Sequence, residues 1–167
     1  NLQTETNSSG IAAVSQLEEG VYEYEITADG HQALTGTLNT TGDIVNGQFF
    51  PGLMHALPGL VFEPSDEITL TMVAGETAYF TFRVRNEGPA PATNFQIETP
   101  SNLSWLSSGL PAPYATNTSV QLLKGEAMSI TLFLSPPESE ADTYHTPTIT
   151  VSADYVDEAH LRALVNV

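Results

Sequence analysis

The sequence predicts an all-β fold. Side chains alternate apolar and polar through most of residues 20–167, Gly- and Pro-bearing turns separate the alternating runs, and no helical stripe outlasts a single turn. The first run is Val21–Ile26, with Tyr22, Tyr24 and Ile26 on one face and Glu23 and Glu25 on the other. Asp29-Gly30 supplies hairpin-turn chemistry, and Leu34–Leu38 is the returning strand. Phe49–Phe62 carries two Pro-Gly turns that break the alternation, so it reads as an apolar connector lying against a core.

Beyond the connector the alternation is cleaner. Ile68, Leu70 and Met72 make one strand face, and Ala74-Gly75-Glu76 turns the chain. Ala78, Phe80, Phe82 and Val84 point inward, with Thr81, Arg83 and Arg85 outward, as far as the turn Asn86-Glu87-Gly88-Pro89. Phe95 with Ile97, Leu103 with Trp105, and Val120 with Leu122 follow; Lys124-Gly125-Glu126 then leads into Met128, Ile130, Leu132 and Leu134. Ile149, Val151 and Ala153 precede a hairpin that returns through Leu161, Ala163, Val165 and Val167. Tyr144 and Ile149 are of opposite parity with Pro147 between them, which predicts a bulge or an edge position at Thr146–Thr148.

Seven short strands over about 105 residues fit an immunoglobulin-like β-sandwich, a fold of about 100 residues. The expected organisation is an N-terminal arm over 1–19, a small and incomplete β unit with its connector over 20–62, and the sandwich over 63–167. Ala74–Phe82 and Lys124–Leu132 share a Gly-Glu turn, a spacing and an inward pattern. With Asn86-Glu87-Gly88, Asp142-Thr143-Tyr144 and Ile149–Ala153, residues 64–167 resemble prokaryotic extracellular Ig-like domains of the CARDB type and the Ig-like accessory domains of secreted hydrolases. That resemblance implies a spacer, adhesive, sugar-enzyme accessory or surface-layer role. Residues 17–38, through Leu17-Glu18-Glu19-Gly20-Val21-Tyr22 and Ala28-Asp29-Gly30-His31, resemble the closing strands of a PEGA or carboxypeptidase-regulatory-like domain. His31 stands there in place of the usual aromatic, and the earlier strands of such a domain are missing.

The net charge is −16, from 20 acidic residues against Arg83, Arg85, Lys124 and Arg162. Phosphate backbones need clustered cations, so nucleic acid is excluded as a partner, and anionic membrane surfaces are equally unattractive. No apolar run approaches the ~20 residues of a membrane span, so no membrane insertion is expected. The self-repulsion of so many like charges is relieved by salt or divalent cations, which suits a secreted or cell-surface location. With no initiator Met and no leader, the chain reads as a processed form or an excised piece. The lack of cysteine rules out disulfides, thiolate metal sites and Cys nucleophiles. Asn7, Asn39, Asn102 and Asn117 head N-x-[ST] sequons, which belong on surface loops or exposed strands if the source glycosylates them.

No nucleophile-elbow motif occurs, so no catalytic residue is assigned. The histidines are His31, His55, His145 and His160. If the last hairpin turns at Tyr155–Glu158, Ala153 pairs with His160, and His145 lies about eight residues further along, ~25 Å away, too far to share zinc. Calcium is the one cofactor the composition suggests: Asp154, Asp157 and Glu158 crowd one turn, and Glu138, Glu140 and Asp142 another, although no EF-hand loop is present. For carbohydrate, Tyr79 points outward and Tyr114 sits in a Pro-rich loop, whereas Trp105, by parity with Leu103, faces the core.

Residues 20–62 carry several large apolar side chains in a unit too small to bury them. Ile11, Val14 and Leu17 give the arm an apolar patch able to add to a sheet edge of another copy. The expected function is a non-catalytic structural subunit of an extracellular assembly, a filament, pilus-like fibre or surface layer, joined to copies of itself by strand exchange. An adhesive or carbohydrate-binding accessory module is the other expectation.

Overall fold

The structure is a computed structural model describing residues 2–45, 47–156 and 158–167. It is all-β, and its residues form two compact units, Asn1–His55 and Ala56–Val167.

In the first unit, β1 (Val21–Ile26) pairs antiparallel with β2 (Leu34–Asn39), Val21 opposite Asn39 and Ile26 opposite Leu34. As the alternation predicts, Tyr22, Tyr24 and Ile26 are half-buried while Glu23 and Glu25 are exposed. The Tyr24 ring lies over Gly36, where a Cβ would stand 2.6 Å from the phenol oxygen, and it meets Phe49 edge-on at 5.2 Å. Among the described residues β1 and β2 form a two-stranded sheet with no other strand partner.

The second unit is a two-sheet sandwich. In chain order its strands are β3 (Leu60–Glu63), β4 (Glu67–Thr71), β5 (Ala78–Asn86), β6 (Gln96–Glu98), β7 (Leu106–Gly109), β8 (Ala127–Leu134), β9 (Tyr144–His145), β10 (Thr148–Ser152) and β11 (Ala159–Asn166). One sheet runs β3-β5-β8-β7, all antiparallel. The other runs β4-β11-β10-β6, with β4 parallel to β11 and β9 also on β11. Read in sequence, the first order is the ABED sheet of an immunoglobulin sandwich, and β6, β10 and β11 are its C, F and G strands. Phe82, Val84, Met128, Ile130, Leu132 and Leu134 from one sheet meet Ile149, Val151, Leu161, Ala163 and Val165 from the other in a closed core. Each of these Val, Leu, Ile, Met and Phe side chains contributes ~1.5–3 kcal/mol by burial.

The two similar stretches are the central strands of one sheet, β5 and β8, aligned antiparallel from Ala78 opposite Leu134 to Arg85 opposite Ala127. Both follow a type II turn closed by a backbone bond, Glu76 N to Val73 O and Glu126 N to Leu123 O, with glycine at the position that requires positive φ. Gly75 N then donates to Pro136 O beyond β8, and Gly125 N to Asn86 O at the end of β5. The internal likeness is thus a local two-fold that clamps each strand end to its partner's turn.

Two expectations are corrected, and a third resolves to one of its two alternatives. Leu60–Phe62, read as connector, belongs to β3, because its alternation is too short to register beside Pro58-Gly59. No bulge forms at Thr146–Thr148: His145 opposite Val165 and Thr148 opposite Arg162 lie on one continuous register, and Pro147 simply lacks the N–H that would answer the bond from Ala163 N to its carbonyl. The edge alternative is the one observed, since β6 covers only Thr150–Ser152 of this strand. Finally, the last hairpin sets His160 opposite Thr150, not Ala153. His145 is therefore about five residues from that position, roughly 17 Å along the strand.

Asn86, read as a turn residue, is fully buried. Its Oδ1 accepts from Gly59 N and Gly88 N, both at 3.0 Å, and its Nδ2 donates to Ala90 O at 2.7 Å and Leu122 O at 2.9 Å. Every hydrogen-bonding position of the amide is filled.

Candidate functional site

The outer face of the β3-β5-β8-β7 sheet sorts into rows. Tyr79, Phe133 and Ser107 stand side by side across β5, β8 and β7, and the next row is Thr81, Thr131 and Gly109. Tyr79 is 68% exposed and Phe133 42%, yet their rings touch edge-on at 5.4 Å and 88°. Thr81 Oγ1 lies 3.2 Å from Thr131 Oγ1, and Thr77 Oγ1 lies 2.9 Å from Ser135 Oγ at the end of the aromatic row. A shallow depression of about 430 Å³ opens beside Phe133, lined by Thr77, Ser104, Trp105, Ser107 and Ser135 among others. One row past the threonines comes charge: Glu63 pairs with Arg83 at 3.4 Å and also with Arg85.

Parity on β5 places Tyr79 here as expected. Phe133 went unassigned, although its position between inward Leu132 and Leu134 puts it outward; that it meets Tyr79 depends on a strand register no local pattern specifies. Tyr114 does not join them. It packs against the core, its ring 5.3 Å from Phe95 in an edge contact. Trp105 is likewise half-buried against the core, as its parity with Leu103 predicts.

Burial first, and then the Glu126 carboxylate, hold the Tyr114 phenol above its ordinary value of 10.0. A raised folded-state value means the folded chain keeps that proton longer than the unfolded chain does. Stability is then complete below pH 10 and falls as pH rises from there through the folded-state value. Tyr114→Phe should flatten this alkaline loss in urea midpoints measured between pH 9 and 11.

His145 Nε2 lies 2.8 Å from Glu140 Oε2 and 3.0 Å from Thr143 Oγ1, an assortment that superficially resembles a hydrolase triad. Both contacts fall on the same ring nitrogen. A relay needs the base on one nitrogen and the orienting acid on the other, so these three cannot pass a proton from Thr143 to Glu140 through the ring. His160 meets Thr150 at 3.2 Å and sits 4.0 Å from Glu158, while His31 Nδ1 is 2.9 Å from its own turn's Asp29 carbonyl. His55 is exposed, and its carbonyl accepts from Gln32 N.

For calcium, Asp154 Oδ1 accepts from Asn94 Nδ2 at 3.0 Å, Glu158 faces His160, and Asp157 lies outside the described residues. Among the described residues no three acidic or histidine side chains gather with metal-site geometry.

Ile11 and Val14 are exposed and Leu17 half-buried. The segment is neither helix nor strand. Asn7 Oδ1 accepts from Ser9 N and Ile11 N, and Asn7 N donates to Ile11 O, closing a tight loop ahead of the apolar residues. All four sequon asparagines are exposed: Asn7 in that loop, Asn39 at the end of β2 with Oδ1 accepting from Thr41 Oγ1 at 2.7 Å, and Asn102 and Asn117 in turns.

No family model matches the chain, and no curated protein matches it. Solved structures give partial likenesses. A Bacteroides ovatus GH5 xyloglucanase in complex with a heptasaccharide is 15% identical over 65% of this chain and 19% of its own, with a TM-score of 0.41. A family 123 glycoside hydrolase from Clostridium perfringens is 13% identical over 62% and 23%, TM-score 0.47. A protein of unknown function from Porphyromonas gingivalis W83 is 13% identical over 94% and 70%, TM-score 0.49. The chain thus spans about a fifth of the length of the two hydrolases.

Proposed function

We propose that the protein is a non-catalytic structural subunit of an extracellular assembly, joined to copies of itself through residues 1–55. One observation carries this reading: none of the described residues from 2 to 55 is buried, although they include Ile11, Val14, Val21, Phe50 and Leu53. Isolated two-stranded hairpins are marginal in water, and a third strand is the usual remedy. The sandwich core is already closed, so an incoming strand has no gap to fill there. The open edges of β1 and β2 are the fitting acceptors, and the arm around Ile11–Leu17 of a neighbouring copy is the fitting donor, adding backbone bonds and covering apolar side chains. Such head-to-tail joining leaves a free edge at one end and a free arm at the other, so the polymer stays open-ended. Screening of the −16 charge should favour it.

Electron microscopy and gel filtration at high salt test this. The full chain should form extended assemblies, and the chain lacking residues 1–17 should stay monomeric. Ile11→Asp with Val14→Asp, both exposed positions, should block joining without disturbing either unit. If the full chain remains monomeric with salt or calcium, or if the variants assemble equally well, the reading fails.

A further inference from the structure

The geometry points to a neutral-glycan binding site on the outer face of the β3-β5-β8-β7 sheet, with Tyr79 and Phe133 as its stacking surface and Thr81, Thr131 and Ser107 as its hydrogen-bonding rim. The inference does not rest on self-assembly, which involves the other unit.

The chain carries 20 acidic and 4 basic residues, yet the first two rows of this face, Tyr79-Phe133-Ser107 and Thr81-Thr131-Gly109, hold none of them. Thr77, Ser104 and Ser135 alongside are also uncharged and carry hydroxyls. An anionic ligand would approach against the field of the whole molecule, and its nearest cations, Arg83 and Arg85, are already engaged by Glu63. A cationic ligand would find no carboxylate within either row; Glu63 stands in the third, and Glu76 and Glu138 lie beyond Thr77 at the other end. A protein partner needs roughly 800 Å² of its own surface covered, far more than two aromatic rings supply. A neutral polyhydroxylated ligand meets none of these objections.

The chemistry present suits such a ligand. An aromatic face is electron-rich and attracts the polarised C–H groups on the flat side of a sugar ring. Hydroxyl side chains both donate and accept, so they can answer sugar hydroxyls in either sense. The mutual contacts of Thr81 with Thr131 and Thr77 with Ser135 each occupy one of several hydrogen-bonding positions, leaving the rest free. The edge contact of Tyr79 with Phe133 restricts the two rings, and the strands beneath are the most extensively paired in the sandwich. Little ordering entropy remains to be lost on binding. The rows repeat every two residues, ~6.6 Å apart, and the depression beside Phe133 extends the surface across β8 and β7, so an extended chain of sugars fits better than a single one.

Affinity electrophoresis of the full chain tests this in gels containing hydroxyethyl cellulose, galactomannan, glucomannan or laminarin, beside anionic alginate. Retardation is expected in at least one neutral gel and not in alginate. Tyr79→Ala and Phe133→Ala should each weaken that retardation at least tenfold, while Tyr155→Ala, an exposed aromatic elsewhere, and removal of residues 1–17 should leave it unchanged. Urea midpoints for the two platform variants confirm that each is folded. Unretarded migration in all four neutral gels, retention in alginate alone, or retention of Tyr79→Ala and Phe133→Ala equal to that of the unsubstituted chain overturns the site.

Discussion

Asn86→Ala should lower the unfolding free energy of the sandwich by about 3 kcal/mol or more, a loss unusual for one polar residue. The amide gathers four backbone groups from separate stretches: Gly59 N ahead of β3, Gly88 N and Ala90 O in the loop after β5, and Leu122 O ahead of β8. Alanine removes this partner from all four; Leu122 O keeps its bond from Ala92 N, but Gly59 N, Gly88 N and Ala90 O are left without one, and each unmet buried group costs ~1–3 kcal/mol. Relaxation and water entry recover part of that sum. Asn86→Asp separates the two halves of the network. It still accepts from Gly59 N and Gly88 N but faces Ala90 O and Leu122 O with a lone pair, and it buries a charge if ionised. Its loss should match or exceed that of alanine at neutral pH and shrink as the carboxyl protonates in acid. Urea unfolding followed by Trp105 fluorescence measures both. A loss below ~1 kcal/mol for Asn86→Ala would mean that Gly59 N, Gly88 N and Ala90 O find water in its place.

Asn86-Glu87-Gly88-Pro89 has the composition of an exposed turn, and the backbone does turn there. What local chemistry does not disclose is that the chain from Leu57 to Gly59 lies against that turn, converting an ordinary turn asparagine into a buried tie. Non-local pairing explains the other differences. Leu60–Glu63 is a strand because Arg83–Asn86 offers it an edge, and Leu106–Gly109, with only Leu106 buried, is a strand because β8 extends past it. The long runs on β5, β8, β10 and β11 were legible because period-2 burial is written into each run separately. Register was not, and the hairpin pairing of His160 shows the consequence: a turn placed a few residues off moves every cross-strand neighbour. The candidate glycan surface divides the same way. Outward parity exposes Tyr79 and Phe133 individually, but only the register of β5 on β8 makes them a pair, while the core contact of Tyr114 lies beyond any reading of its Pro-rich loop.

Gly88→Ala should be comparably damaging, for a reason unrelated to backbone conformation. Gly88 is buried, and a Cβ built on it would stand 2.3 Å from Gly59 N, 2.4 Å from the Pro58 carbonyl carbon and 2.6 Å from Leu57 O. All three are main-chain atoms, so no side chain can swing away to make room. The 57–59 segment itself would have to retreat, stretching Gly59 N to Asn86 Oδ1, Glu87 N to Gly59 O and Ala90 N to Leu57 O together. Overpacking a rigid site costs ~1–3 kcal/mol, and the coupled bonds should bring this variant to the top of that range or above it. Gly59→Ala supplies the contrast: its Cβ would meet Gly88 N at 3.4 Å and Gly88 Cα at 3.6 Å, ordinary contacts that predict a loss below ~1 kcal/mol. Because Gly88→Ala and Asn86→Ala both detach the same segment, the double variant should cost clearly less than the sum of the singles. Strict additivity in the four urea curves of that cycle would show that the glycine contact and the asparagine network hold the loop independently, and that no shared displacement of 57–59 links them.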